Sequence, residues 1–205
     1  MQQLSVGLII KQALAIGLKN APSLLGAFVL WVLTIWIPYL NVGTTIGLFG
    51  MAAKMGRGEV VSPTAIFAKE YRKQMGEFFL VMAFVMIGVY AGMVFVIIPG
   101  IVIGLAWSLA PLLVLDKGRN PTAALQESND LTYGKKWTIL FGNLVVSMIF
   151  VVAIAIFGVI GAKVHPAIGG LITVVLTILW GAASMAATAV VYSTLTASPT
   201  VQQAK

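Results

Sequence analysis

The side chains able to do chemistry in this chain are few: six carboxylates, one histidine and no cysteine in 205 residues. Without cysteine there can be no disulfide, thiolate metal ligand or sulfur nucleophile. His165 stands between Lys163 and Pro166 with no carboxylate beside it. A lone imidazole of that kind makes neither a metal centre nor an oriented general base. Glu127 and Asp130 lie three residues apart, with Lys135 and Lys136 close behind. That spacing fits neither a calcium loop nor a carboxylate pair, and reads as solvated helix charge. No catalytic, cofactor-binding or metal-ligating residue is expected, and no cofactor.

A second set of polar side chains sits inside apolar stretches. Asn143 and Ser147 are one helical turn apart and share a face, and Tyr90, Ser108, Thr173, Thr177, Ser184 and Thr188 are scattered through similar surroundings. Interhelical hydrogen bonding is the bland reading of such groups, and contact with an intramembrane ligand is the functional one. Met75, Met82, Met86 and Met93 recur at helical spacing, which suits adaptable packing or a ligand path.

The elements that must carry these residues are set by where charge is missing. Asn20 to Ala53, Phe78 to Leu115, Trp137 to Ala162 and Pro166 to Ala204 contain no Asp, Glu, Lys or Arg. With 60% hydrophobic and only 9% charged residues, the chain does not read as a soluble domain. About 20 residues cross a bilayer as a helix. The first stretch, of 34 residues, and the second, of 38, are each long enough for two helices and carry a breaker near the middle, Pro38 and Pro99-Gly100. The third and fourth stretches supply one helix each. The expected fold is all-α: a polytopic membrane protein of about six transmembrane helices in three hairpins, joined by short cytoplasmic amphipathic helices. The first hairpin, with short arms, is open to a spanning or a re-entrant reading.

Even crossings put Lys11, Lys19, Lys54, Arg57, Lys69, Arg72, Lys73, Lys117, Arg119, Lys135, Lys136 and Lys205 on one side, against Lys163 on the other. Positive charge stays cytoplasmic, so both termini are expected inside, in a bacterial inner membrane. Residues 1–20 form an expected interfacial amphipathic helix, with Ser5, Lys11, Gln12 and Lys19 opposite Val6, Ile9, Ile10, Ala13 and Ile16. Residues 21–195 form the six-helix domain and 196–205 a cytoplasmic tail. The N-terminal residues lack the basic lead and cleavage site of a signal peptide. Trp31, Trp36, Tyr39, Tyr133 and Trp137 fall where aromatic rings anchor at headgroup level.

The hairpins resemble one another. Ile37-Pro38 is followed by Gly56-Arg57 and Ser62-Pro63-Thr64-Ala65, and Ile98-Pro99 by Gly118-Arg119 and Asn120-Pro121-Thr122-Ala123. His165-Pro166 is followed by Ser198-Pro199-Thr200-Val201. Ser or Asn before Pro is a good helix start. This is either a parallel internal repeat or three independent proline turns.

The stretch from Ile97 to Trp137 carries a Pro-Gly turn at Pro99 and Gly100, then Pro111, Asp116, Ala124 with Leu125, Ser128, Gly134, and Lys136 with Trp137. In that pattern it resembles the membrane domain that accompanies some bacterial glycerophosphodiester phosphodiesterases, and the stand-alone YciC-type inner-membrane proteins. The resemblance implies an integral inner-membrane module. It implies no phosphodiesterase activity, because that chemistry belongs to a separate soluble domain. The expected function is non-catalytic: organising protein partners or lipids through a basic cytoplasmic face, with Lys69, Arg72, Lys73, Lys135 and Lys136 as contacts. Expected partners are anionic membrane lipids and another membrane protein or a second copy, not nucleic acid. The alternative is a transporter or accessory subunit for an apolar or amphipathic solute, with Asn143 and Ser147 as its intramembrane contacts.

Overall fold

A computed structural model describes residues 3–197, and among them every regular element is helical. Ser5 caps α1 (Val6–Thr34) by accepting from the Leu8 amide at 3.2 Å. Pro38 opens α2 (Pro38–Gly56), where a missing N–H costs nothing. A 3-10 turn (Pro63–Phe67) and the short α3 (Lys69–Lys73) lead into α4 (Met75–Phe95). Then follow α5 (Ile97–Trp107), α6 (Ala110–Lys117) and α7 (Pro121–Thr132), and the long α8 (Lys136–Val164) and α9 (Pro166–Thr196).

Among the described residues five segments are long and apolar enough to cross a membrane: α1, α4, α5 with α6, α8 and α9. The second arm of the first hairpin, α2, is not among them. Its Asn41, Thr44 and Thr45 and its four glycines dilute the apolar character that the other arms have. The expected six arms are therefore all helices, but they are not equivalent.

The N-terminal boundary also differs from expectation. No separate interfacial helix ends at residue 20; α1 runs unbroken through Pro22. Ile9, Ala13 and Gly17 recur every four residues and are buried. Ile9 packs on Gly142 of α8, and a Cβ on Gly17 would come within 2.8 Å of the Ala183 Cα in α9. The apolar face of that expected helix, opposite the basic face read as turned to headgroups, lies against helices. Asn20, read as the start of the span, is fully buried and accepts the Val61 amide at 2.9 Å. At the other end, Ser198 to Val201 and most of the 196–205 tail lie outside the described residues.

The core sits toward one end of the bundle. Ala182 to Leu195 of α9, Met51 to Met55 of α2, Leu109 to Leu115 and the first turns of α1 and α8 supply most of its side chains. The opposite halves of α4, α8 and α9 leave Ile87, Val94, Phe95, Phe157, Ile160, Leu171 and Val175 exposed. In water that surface would be untenable; against lipid it costs nothing.

Two hairpins share one reversal. Val96 has φ −160° and donates to the Gly92 carbonyl at 3.2 Å, and His165 has φ −162° and donates to the Gly161 carbonyl at 3.0 Å. A glycine stands four residues before and four after each, and the two glycines meet across the hairpin: a Cβ on Gly92 would lie 2.8 Å from the Gly100 nitrogen, one on Gly161 3.1 Å from the Gly169 Cα. The first hairpin has Leu33 and Asn41 at those places around Ile37 and turns by a different path. Its tip is held by polar groups: Trp31 Nε1 donates to Thr45 Oγ1 at 2.8 Å, Thr34 and Thr44 hydroxyls meet at 3.1 Å, and Asn41 donates to the Ile35 carbonyl at 3.1 Å. The repeat is thus geometric for the second and third hairpins only. The linkers diverge likewise. Asn120 caps an α-helix, whereas Ser62 precedes a 3-10 turn without capping it.

That turn is wedged into the first hairpin. Pro63 abuts Gly26 of α1, and the Ile66 backbone abuts Gly47 of α2. Gly47 lies only nine residues into α2, roughly 14 Å of helix.

Candidate functional site

The polar residues that converge do so where α2, α3, α6 and α9 end together. Asp116, at the close of α6, is their hub. Its Oδ1 accepts from Arg57 Nη1 at 2.7 Å and its Oδ2 from the Tyr192 hydroxyl at 2.8 Å, tying α6 to the ends of α2 and α9. Arg57 also donates to Glu59 at 2.9 Å. That bond, and then Asp116, raises the Arg57 pKa further, so its charge is permanent. Gly118 ends α6 in the left-handed conformation at φ +60°, which turns the chain back toward α7.

One turn before Arg57, Lys54 donates to Glu70 at 2.9 Å and stands 5.4 Å from the centre of the Tyr71 ring. The Glu70 hydrogen bond raises the Lys54 pKa against the opposing effect of burial. Burial raises that of Tyr71, which Lys54 partly offsets. Lys54, Arg57, Glu70, Tyr71 and Asp116 line a cleft of about 330 Å³. It holds two cations and two carboxylates already paired with one another. Glu127 is similarly committed, to Lys117 at 3.2 Å and to Arg119 at 2.8 Å.

The residues of the family-like pattern form a second constellation. Pro111 lacks an amide, and the helix breaks between Trp107 and Ala110. The freed groups are met from α7. Ser128, fully buried, donates to the Ala106 carbonyl at 2.7 Å and accepts from the Leu109 amide at 3.2 Å, and Thr132 stands 3.4 Å from the same carbonyl. Ala124 is fully buried one turn before Ser128, where a larger side chain would hold α7 off. Pro99 lies within the first turn of α5, Gly100 makes the Gly92 contact, and Gly134 takes φ +71° before α8. Of these positions, Gly100 and Ser128 sit at contacts between helices.

The basic residues expected as contacts divide. Lys69 and Lys73 are exposed, and Lys135 is half-buried at the head of α8. Arg72 is spent: it donates to the Phe67 carbonyl at 3.1 Å and its stem covers Gly43. Lys136 donates to Asn129 at 3.1 Å. Ser147 accepts from Trp180 Nε1 at 3.3 Å, joining α8 to α9, and Asn143 is half-buried a turn away. Met75 and Met82 pack beside Ile46 and Phe78, while Met86 and Met93 are exposed. His165 caps α9 by accepting from the Ala167 amide at 3.2 Å.

The Arg57–Asp116–Tyr192 hub was not foreseen, since its members lie 59 and 76 residues apart in pairs. The one hint was Asp116 itself, the first charge after 38 neutral residues. Among the described residues no group of three or more His, Cys, Asp or Glu side chains is placed to hold a metal. No family model matches the chain, and neither a curated protein nor a solved structure matches it.

Proposed function

We propose that the chain is a non-catalytic multi-pass module of a bacterial inner membrane, with both termini cytoplasmic, that gathers anionic lipids or a protein partner on its basic face. The observation that carries this reading is how charge is spent at the Asp116 end. Four of the six carboxylates, Glu59, Glu70, Asp116 and Glu127, are held in ion pairs among the described residues, and Glu77 and Asp130 are not, within a chain of net charge +7. Lys69, Lys73 and Lys135 have no carboxylate within 4 Å among the described residues, so positive charge is left over for something outside the chain. The positive-inside preference puts that face in the cytoplasm. The pattern around Pro99, Pro111 and Ser128, which resembles the phosphodiesterase-associated and YciC-type membrane modules, fits the same reading.

Changing Lys69, Lys73 and Lys135 together to Gln tests it, because Arg72 and Lys136 have structural bonds to lose. Each lysine near an anionic surface contributes about 1 kcal/mol, roughly fivefold in binding. The triple variant should therefore lose enrichment of phosphatidylglycerol over phosphatidylethanolamine in purified protein, or lose its co-purifying protein. Unchanged enrichment and unchanged co-purification would sink the reading.

Transport of an apolar or amphipathic solute is the second reading, favoured by two joined apolar cavities between α2 and α9. Asn143, Ser147 and the methionines of α4 do not line them. Exchange of a labelled solute across proteoliposomes would be required.

A further inference from the structure

The first of these cavities measures about 480 Å³ and is bordered by Leu24, Phe28, Leu48, Thr177, Gly181 and Met185. The second measures about 330 Å³, with Leu48, Ala52, Pro111, Leu112, Met185 and Thr188 around it. They share Leu48 and Met185 as walls and lie one after the other along α9, a slot in two sections beside the first hairpin. Along α9 it extends from Thr173 to Thr188, roughly 22 Å at helical rise. Half of a bilayer's hydrocarbon core is about 15 Å.

Five hydroxyls border the slot, Ser184 among them, and the protons of the other four are spent. Thr173 donates to the Gly169 carbonyl, Thr177 to Thr173, Thr188 to Ser184 and Ser108 to Leu105, all within 3.2 Å. What remains is an apolar lining. The slot opens sideways, since Phe28, Val174, Thr177 and Gly181 are exposed and adjoin the apolar surface around Leu171 and Val175. At its upper end the character changes within one helical turn. Tyr192 follows Thr188 by four residues, Asp116 follows Leu112 by four, and Arg57 follows Ala52 by five. The apolar slot therefore stops beneath the Arg57–Asp116–Tyr192 hub.

We propose that the slot holds one acyl chain of a membrane phospholipid, inserted laterally, with its headgroup end at the polar hub. The largely apolar lining, the lateral mouth and the polar end suit a single chain with a headgroup. The inference rests on the membrane embedding proposed above.

The full chain in nanodiscs of phosphatidylethanolamine and phosphatidylglycerol, doped with a phospholipid carrying a photoactivatable group on its acyl chain, provides the test. Peptide mapping after irradiation should find adducts on Leu48 and Met185 as well as on Val151 and Phe157 of the exposed α8 surface. Gly181→Leu fills the slot without a clash, because a Cβ there meets nothing within 4 Å. It should abolish the Leu48 and Met185 adducts and leave those on α8. Thr177→Leu, which gives up only a bond to its own helix, should do the same. Adducts on α8 without any on Leu48 or Met185, or slot adducts that both substitutions leave unchanged, would overturn the site. Absence of α8 adducts as well would overturn the membrane embedding and the site with it.

Discussion

The first hairpin is drawn from one uncharged stretch of 34 residues and the third from two, Trp137 to Ala162 and Pro166 to Ala204, and the arms of the two are packed differently. In the third, α8 and α9 cross through Gly161 and Gly169 and continue as 29- and 31-residue helices. In the first, a 3-10 turn is driven between the arms, and only about 14 Å of α2 lies between that wedge and Pro38. Asn41, Thr44 and Thr45 brace the tip of the first, whereas Lys163 and His165 stand at the tip of the third. Absence of charge marks a segment as lipid-compatible; it does not say how far the segment reaches. What differs here is which surface each arm packs on, helix against helix or helix against a folded-back loop.

The sharpest way to break this contrast is by labelling, since the chain has no cysteine of its own. Val164→Cys, at the exposed tip of the third hairpin, should react fully with a membrane-impermeant maleimide added outside intact cells. Trp36→Cys, at the tip of the first, should be protected. Equal reaction would mean that both hairpins reach the outer surface. A large stability effect comes next. Gly169→Leu would press a Cβ against the Ala162 backbone at 2.5 Å and should cost about 3 kcal/mol or more in thermal unfolding. Asn41→Leu, four residues after the first turn, should cost less than about 1.5 kcal/mol, because it surrenders half-exposed hydrogen bonds only. A reversed order would show that the glycine crossing is not what holds the third hairpin. The smaller effect concerns the wedge. Asn20→Ala leaves the buried Val61 amide without its acceptor, a loss of about 1–3 kcal/mol. Protease cutting should rise first between Gly58 and Ala68; cutting elsewhere first would detach Asn20 from the wedge's stability.

How far sequence could lead depended on whether the cause was local. Pro38, Pro99 and Pro166 punctuate the chain because proline cannot continue a helix ladder, and each turn falls where the proline predicts. Asn120-Pro121 starts α7 for an equally local reason. The separate interfacial helix failed because the amphipathic face of α1 could not reveal whether lipid or α9 would cover it. That Arg72 and Lys136 also bond within the chain was not legible, because their acceptors, the Phe67 carbonyl and Asn129, carry no signal of their own. The Ser128 clamp was half legible. Pro111 in an apolar helix demands that the freed backbone groups be met from somewhere, and a serine on the next helix was at hand. The Asp116 hub joins three distant helix ends and has no local cause at all.

The burial of α1 against α9 has a bearing on how the chain comes together during synthesis. Chains emerge N-terminal end first, and contacts distant in sequence close late. Ile9, Ala13 and Gly17 face α8 and α9, which lie more than 120 residues downstream. The second and third hairpins can close as soon as each is made, through partners eight residues apart. The face of α1 must stay uncovered, or be shielded by another protein, until α9 has left the ribosome.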